Sequence, residues 1–207
     1  MAIALEFRKT EEDLTGRSKW WGFPDMPESL EYPEVPIDED YSDPLTFICQ
    51  IRCEELAELD TEGLLPHEGM LWFFGSLDYF LGNPDAECNP GMGEWQAPFF
   101  KVLYSKDCGT LHTHVTVYDD GTPACMPAEA ISFRKCDDTS DDTRLLGRPY
   151  LQEINEQYPD YVSLLQIDEN DDWGLRFYDC GMLCMLLQPQ DLEERRFQYT
   201  KCYLHSF

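Results

Sequence analysis

Residues 164-LLQIDENDDWGLRFYDCGMLCMLL-187 place two apolar runs on either side of a dense acidic turn. Short apolar runs bounded by turn residues are typical of strands. This interval therefore predicts two neighbouring strands joined by an acidic loop. The same frame occurs earlier in the chain, where 45-LTFICQI-51 is followed by 69-GMLWFF-74.

Three short motifs recur in the same order in the two halves of the chain. Gly22 opens Gly-Phe-Pro, and Gly147 opens Gly-Arg-Pro. Each motif precedes an apolar strand that ends in Gln-Ile, at Gln50 and at Gln166. Gly-Met-Leu follows these glutamines after 19 and 15 residues. A shared order of three motifs predicts a duplicated β-rich unit.

The predicted duplication gives one domain over 1–207, with pseudo-repeats at about 18–136 and 145–207 that share one core. Helices are predicted at 150–158, which Pro159 ends, and at 189–197, where Pro189 lies near the start. Further strands are predicted at 99–104, 111–118, 131–135, 173–178 and 199–207.

The charge of the chain limits its partners. The formal net charge is −26, from 15 Lys+Arg against 41 Asp+Glu. Residues 1–104 carry 6 basic and 22 acidic groups, and residues 105–207 carry 9 and 19, so the acidity is no terminal tail. Such a field repels phosphate backbones and anionic membrane surfaces. It favours a basic protein partner, unless the acids only form a soluble surface.

The N-terminus and the cysteines predict a cytoplasmic protein. Charges at 6, 8, 9 and 11–13 leave no apolar core for a signal peptide, and no apolar run approaches the length of a membrane span. Thiols stay reduced in the cytosol. Most of the nine cysteines are therefore expected to be small buried apolar residues.

Several of these stretches together carry a family resemblance. They are 18-SKWWGFPDMPESLEYP-33, 45-LTFICQI-51, 64-LLPHEGMLWFF-74, 145-LLGRP-149, 163-SLLQID-168, 181-GML-183 and 191-DLEERRF-197. In this order the chain resembles the YwqG-like family, also called the domain of unknown function 1963, from about residue 18 onward. It departs from the family pattern at Trp21, which stands where the family has the first of two glycines.

The resemblance implies an α+β fold made from a duplicated β-rich unit. We therefore expect a mostly antiparallel sheet with a few short helices. The resemblance implies no established activity, cofactor or catalytic residue. Some members of the family occur in settings that suggest a link to toxin–immunity systems.

The residues most suited to binding a partner are aromatic. Trp20, Trp21, Phe23 and Trp95 lie in segments that resemble loops, so they are expected to be partly exposed. Exposed tryptophans are typical of interface hot spots. The alternative is that these rings cover the open faces of the sheet.

Gln50 and Gln166 are expected at comparable places in the two units. Buried amides are usually satisfied inside the protein, so hydrogen bonds to strand backbone are the favoured role. The alternative is a pocket between the two units, with Gln50, Gln166 and Asp168 beside a substrate or small ligand.

The stretch Asp168–Asp179 resembles the start of a calcium loop. Asp168, Asn170 and Asp172 alternate, but glycine comes one residue late and the flanks are strands rather than helices. An acidic hairpin loop is therefore favoured, with divalent cation binding as an alternative. The two CxxxC pairs and the His112/His114 pair lack further ligands, so neither a metal nor a cofactor is expected.

The sequence thus predicts a cytosolic acidic protein that binds a basic protein, in the manner of an immunity or inhibitor protein. A catalytic role is disfavoured, because the chain has no nucleophile, phosphate-loop or dinucleotide motif. The alternatives are a hydrolase or small-molecule binder with an inter-unit pocket, and a cation-binding protein.

Overall fold

The computed structural model describes residues 1–117 and 120–207. The strands are β1 (Ala2–Lys9), β2 (Lys19–Trp20), β3 (Asp25–Pro27), β4 (Glu34–Pro36), β5 (Ser42–Pro44), β6 (Thr46–Arg52), β7 (Met70–Gly75), β8 (Gly93–Trp95), β9 (Phe100–Ser105), β10 (Leu111–Thr113), β11 (Glu129–Cys136), β12 (Arg144–Leu145), β13 (Val162–Asp168), β14 (Met182–Leu187) and β15 (Lys201–His205). The α-helices are α1 (Gln152–Gln157) and α2 (Pro189–Glu193). Short 3-10 helices lie at Cys53–Leu56, Tyr79–Leu81, Ala97–Phe99, Asp171–Trp173 and Phe197–Tyr199.

The predicted α+β class is wrong. Among the described residues, fifteen strands stand against two α-helices of six and five residues. The helices are too short to form a layer of their own, so the protein is mostly β. The strand predicted at 173–178 is also absent from the described strands. Tyr118, the last residue of the strand predicted at 111–118, lies outside the described residues, and β10 ends at Thr113.

One antiparallel sheet of eleven strands organises the molecule. Its order is β8-β15-β14-β13-β12-β1-β11-β2-β6-β7-β9. The strands at its two ends, β8 and β9, are joined only by residues 96–99. Four residues reach at most about 14 Å, so the ends lie close and the sheet curls round one core. We call this the central core; it includes Ile3, Trp20, Phe73, Ile167 and Leu183.

The hairpins β6–β7 and β13–β14 have the same register. Gln50 lies opposite Trp72, and Gln166 lies opposite Cys184. Each hairpin also carries one irregularity centred two residues before its glutamine, between Phe47 and Cys49 and between Ser163 and Leu165. The recurring motifs thus correspond to matched backbone geometry. The limits of a duplication, predicted at about 18–136 and 145–207, stay a prediction.

The strands that precede the two matched hairpins in the chain exchange partners between the two units. β1 precedes β2 in the chain but pairs with β12, whereas β11 precedes β12 but pairs with β2. β1 and β11 also pair with each other along their whole length, from Ala2 opposite Cys136 to Lys9 opposite Glu129. This exchange places both hairpins, with the strands that precede them, in one sheet around one core.

The unbroken apolar runs of β7 and β14 follow from burial on both faces. In β7, Leu71 and Phe73 face the central core. Met70, Trp72 and Phe74 face a first outer cluster under the segment 26–47. In β14, alternate residues face a second outer cluster against α1. Strands covered on both sides lose the alternation of polar and apolar residues.

The glycines of the two Gly-Met-Leu motifs have a steric reason. A Cβ atom at Gly69 would overlap the carbonyl oxygen of Ser105, and one at Gly181 would overlap the carbonyl oxygen of Phe177. Gly69 also has a left-handed φ of +86°. Both positions therefore require glycine.

We expect Gly69→Ala and Gly181→Ala each to lower the free energy of unfolding by more than about 1 kcal/mol, because backbone must move to admit the methyl group. Urea unfolding measures the loss. Gly63→Ala is the control, since Gly63 has a positive φ but nothing within 4 Å of the added carbon. Losses no larger than that of the control would show that the overlap is relieved without cost.

The helices and cysteines bear on location. Within the described residues no helix is long and apolar enough to cross a membrane; the longer α-helix has six residues. Five of the nine free cysteines are buried, as predicted: Cys49, Cys53, Cys108, Cys184 and Cys202. A cytoplasmic location stays a prediction.

Candidate functional site

A left-handed turn after β2 brings a buried charge pair together. Lys19 lies opposite Gln50 in the sheet, so their side chains share one face. Trp21 and Gly22 then take positive φ values of 56° and 76°, which reverse the chain. The returning segment places Asp25 against both side chains.

Asp25 is fully buried, and both of its carboxylate oxygens accept hydrogen bonds. Its Oδ2 accepts hydrogen bonds from Lys19 Nζ at 2.8 Å, Gln50 Nε2 at 2.9 Å and the Gly16 backbone N–H at 2.9 Å. Its Oδ1 accepts one from Thr113 Oγ1 at 2.8 Å. A buried carboxylate with four donors, one of them an ammonium, is compensated for the loss of water.

The pKa of Asp25 reflects two opposing effects. Burial raises the pKa, but the hydrogen bonds from Lys19, Gly16 and Gln50 and the ammonium charge outweigh burial and lower it overall. The carboxylate is therefore charged at neutral pH, and the pair with Lys19 is ionic.

Both predicted glutamines have the internal role that was favoured. Gln50 Oε1 accepts from the Asp25 N–H at 2.8 Å, and its Nε2 also donates to the Arg17 carbonyl at 2.8 Å. Gln166 Oε1 accepts from the Tyr150 N–H at 2.9 Å. Its Nε2 donates to the carbonyls of Ser140 and Asp142, both at 3.0 Å. These amides are satisfied within the protein.

Arg144 occupies the position in the second unit that Lys19 holds in the first. It lies opposite Gln166 and is fully buried. Its guanidinium donates to Gln166 Oε1 and to the carbonyls of Ser140, Leu146 and Arg148. None of its hydrogen-bond acceptors among the described residues is a carboxylate, and burial lowers its pKa. The arginine side chain itself occupies this place in the second unit.

A cleft of about 550 Å³ opens over Lys19. Its exposed residues include Glu11, Glu12 and Asp13, whereas Lys19 is buried and forms its floor. The walls are mostly apolar. The lining residues are Thr10, Glu11, Glu12, Asp13, Leu14, Thr15, Lys19, Gly22, Phe23, Thr113, Pro123, Cys125, Met126, Pro127 and Ala128. We call Glu11, Glu12 and Asp13 the acidic rim.

Two of the rim acids have local partners. Glu12 pairs with Arg8 at 3.3 Å and with Arg17 at 3.8 Å, and all three side chains are more than half exposed. Asp13 accepts from Thr15 Oγ1 at 2.7 Å and from its backbone N–H at 2.9 Å, which lowers the pKa of Asp13. Asp13 is therefore charged at neutral pH, and all three side chains of the rim are open to solvent.

Trp20, Trp21 and Trp95 are buried, so the predicted exposure of these rings is wrong. Trp20 and Trp21 are 0% and 1% exposed, because the chain turns inward at this point. Trp20 stacks on Trp173 at 5.3 Å, and Phe7 meets Trp173 edge-on at 4.7 Å. These four rings, Phe7, Trp20, Trp21 and Trp173, form an aromatic cluster in the central core. A role of Trp20 and Trp21 in binding stays a prediction.

The loop after Asp168 uses its acids for its own structure. Glu169 accepts from the backbone N–H groups of Phe177 at 2.7 Å and Gly181 at 3.1 Å. Asn170 caps the 3-10 helix that follows. Arg176 forms ion pairs with Glu169 and Asp171. No three acidic, histidine or cysteine side chains in the described parts of the chain are grouped to hold a metal ion. Cation binding at Asp168–Asp179 stays a prediction.

Asp168 is half-buried, and burial raises its pKa, with the charges of Asp141 and Glu169 acting in the same direction. A raised pKa means that the folded state binds the proton more readily than the unfolded state, so stability falls as pH rises through the folded-state pKa. We therefore expect Asp168→Asn to be more stable than the wild type at pH 7. Urea unfolding should show this difference vanish near about pH 3, where the carboxyl is protonated in both states. The exposed Asp160→Asn is the control; equal effects of both variants would contradict a specific cost at Asp168.

The structure brings only part of the predicted set together. Gln50 lies under the cleft floor, next to Lys19 and Asp25. Gln166 and Asp168 lie on β13 and line neither this cleft nor the smaller one beside His112. A pocket between the units at these residues stays a prediction. Lys19 was not predicted as a site residue. Its one visible signal in the sequence is that a lysine stands in an otherwise apolar, aromatic segment.

The family model described as Domain of unknown function (DUF1963) matches residues 18–141 and 126–205. The two matches overlap and together span most of the chain, so the chain belongs to this family. No curated protein matches the chain.

Proposed function

Because the family carries no assigned activity, we propose from the geometry alone that this protein is a non-enzymatic binding protein for a basic protein partner. In this proposal, a basic segment of the partner lies in the cleft over Lys19. It is carried by one observation, the acidic rim of Glu11, Glu12 and Asp13 above mostly apolar walls. An immunity or inhibitor role would be one form of such binding.

The rim and walls suit a segment that carries both basic and apolar side chains. Phe23 and Met126 are half-buried and offer apolar contact area. The carboxylates of the rim attract cationic side chains, and the net charge of −26 steers them toward the protein. A cleft of about 550 Å³ has the size of a site for a small ligand or a short segment.

The chemistry of the cleft and of Asp25 beneath it supports binding over catalysis. The carboxylate of Asp25 already accepts four hydrogen bonds, so it is not free to act as a base. Burial raises the pKa of the Cys125 thiol to about 11. A thiol with so high a pKa holds little thiolate at neutral pH and is a weak nucleophile.

A blocked hexapeptide of alternating leucine and lysine is a defined probe for this cleft. Calorimetry is expected to show binding at about 50 mM salt that weakens strongly at about 500 mM, because salt screens exposed charges. Glu11→Gln with Asp13→Asn should weaken binding about tenfold at low salt, through the loss of two carboxylates near the lysines. Asparagine keeps the oxygen that Thr15 needs.

The matched control removes the same charge elsewhere. The control is Asp137→Asn with Asp141→Asn. Both positions lie beyond the far end of β11, roughly 25 Å from the cleft. This control is expected to bind the peptide nearly as well as the wild type. Equal weakening in both pairs would mean that general charge, and not the cleft, attracts the peptide. Tight binding of the matching leucine–glutamate hexapeptide would contradict the proposal outright.

A further inference from the structure

The ammonium of Lys19 has unused hydrogen-bond donors at the floor of the cleft. The Lys19 side chain is 7% exposed, and its Nζ has one acceptor among the described residues, Asp25 Oδ2 at 2.8 Å. An ammonium group has three N–H donors. Two donors are therefore available in a nearly buried side chain that lines an open cleft. Donors that are buried without an acceptor cost free energy, so the site favours an oxygen atom that enters from the cleft.

We infer that Lys19 is a ligand-binding residue that donates a hydrogen bond to a main-chain carbonyl oxygen of the bound basic segment. This inference rests on the proposed function and names the group that holds the segment at the bottom of the cleft. The basic side chains of the segment then lie at the acidic rim, on either side of the residue whose carbonyl meets Lys19.

Charge decides between a carbonyl and an anion. The pair of Lys19 with Asp25 is neutral as a whole, because the ammonium and the carboxylate carry opposite charges. An anionic group would have to pass Glu11, Glu12 and Asp13 and then lie close to Asp25. A neutral carbonyl oxygen meets no such repulsion and still accepts a charge-assisted hydrogen bond.

In the second unit, the cation at the same place uses four of its five donors. Arg144 has the register of Lys19, but its guanidinium donates four hydrogen bonds to Ser140, Leu146, Arg148 and Gln166. In the first unit, a shorter cation with one partner stands under a cleft. The two units thus differ at this position: Arg144 uses most of its donors within the protein, whereas Lys19 uses one of three.

Nuclear magnetic resonance of the ¹⁵N-labelled protein tests the inference on the wild type. A buried ammonium with an ion-pair partner exchanges slowly enough to be observed, and Lys19→Arg identifies the Lys19 signal by its loss. Titration with the leucine–lysine hexapeptide is expected to shift this ammonium signal together with the rim residues. Spermidine, a polycation without carbonyl groups, is expected to shift the rim residues only.

A second variant gives an independent readout. Lys19→Met with Asp25→Asn replaces the ion pair by neutral side chains and keeps an oxygen for Gly16 and Gln50. It should bind the peptide about tenfold more weakly, since a hydrogen bond to a charged group is lost. Lys201→Met, on β15, is the control and should bind as the wild type does.

The outcomes separate the two proposals. One result would overturn the inference and leave the proposed function standing: the peptide shifts the rim residues of the wild type but not the Lys19 ammonium signal, and it binds the double variant as tightly as the wild type. A water molecule would then be the acceptor. An equal Lys19 shift with spermidine would overturn the need for a carbonyl. No shift at rim or floor would overturn both proposals.

Discussion

Trp173→Ala is expected to lower the free energy of unfolding by about 3–5 kcal/mol, the range for large-to-small changes of buried aromatic residues. Trp173 is 6% exposed although the residues on both sides of it are exposed. Its ring contacts Phe7, Trp20 and Trp21 at centroid distances of 4.7, 5.3 and 5.6 Å. Alanine would leave a cavity among three rings, of which Phe7 lies on β1, Trp20 on β2 and Trp21 directly after β2.

Urea unfolding followed by tryptophan fluorescence measures this loss. Tyr199→Ala is the control, since that ring is 57% exposed and contacts mainly Arg196. The control is expected to change the free energy of unfolding by less than about 1 kcal/mol. A loss of that small size for Trp173→Ala would contradict the view that the acidic loop is anchored in the central core by this ring.

Lys19→Met alone is expected to cost about 3–5 kcal/mol of stability, because it leaves the fully buried Asp25 carboxylate without its cation. Adding Asp25→Asn should recover a large part of the loss. The asparagine oxygen can face Gly16 and Gln50, and its amide can donate to Thr113, so every polar atom keeps a partner.

The double-mutant cycle makes this prediction specific. The coupling between Lys19 and Asp25 should exceed about 1 kcal/mol, as for contacting residues in one buried network. Lys201→Met is the control: the pair of Lys201 with Glu94 is about one-third exposed on both sides, and its loss should cost about 1 kcal/mol or less. Additive effects at Lys19 and Asp25 would show that the pair contributes nothing beyond its separate contacts.

The hairpins could be predicted because their signals are local. Gly-Met-Leu follows each Gln-Ile strand, and the structure gives both hairpins one register. The internal role of Gln50 and Gln166 also followed from the general cost of burying an amide. Which backbone groups they bond could not be predicted, because Asp25 and Tyr150 reach them only through the turns at Trp21 and Leu146.

The wrong strand at 173–178 shows a limit of periodicity. Residues 173, 175 and 177 are buried and those between are exposed, so the alternation typical of a strand is present. The backbone bonds are not those of a strand, however. Arg176 N–H donates to the Phe80 carbonyl, and Phe177 N–H donates to the Glu169 side chain. Alternation reports which side chains face the core, and only the long-range partners decide the backbone.

The dependence on long-range partners also explains why the fold class and the exposure of the tryptophans were predicted wrongly. The segments 150–158 and 189–197 contain helices, but these have six and five residues and serve as caps on the sheet. Trp20 and Trp21 lie in a segment rich in proline and aromatic residues that resembles a loop, yet β2 is inserted between β6 and β11. An inner strand of two residues gives too short a pattern to recognise.

The most direct test of the cleft as a binding site is a map of backbone amide shifts in the ¹⁵N-labelled protein on addition of the leucine–lysine hexapeptide at low salt. Binding in the cleft predicts that the largest shifts fall in 10–15, 22–23 and 123–128, and that Glu11→Gln with Asp13→Asn needs about tenfold more peptide to produce them. Largest shifts at 137–142, or small shifts spread evenly over the acidic surface, would contradict the proposed function.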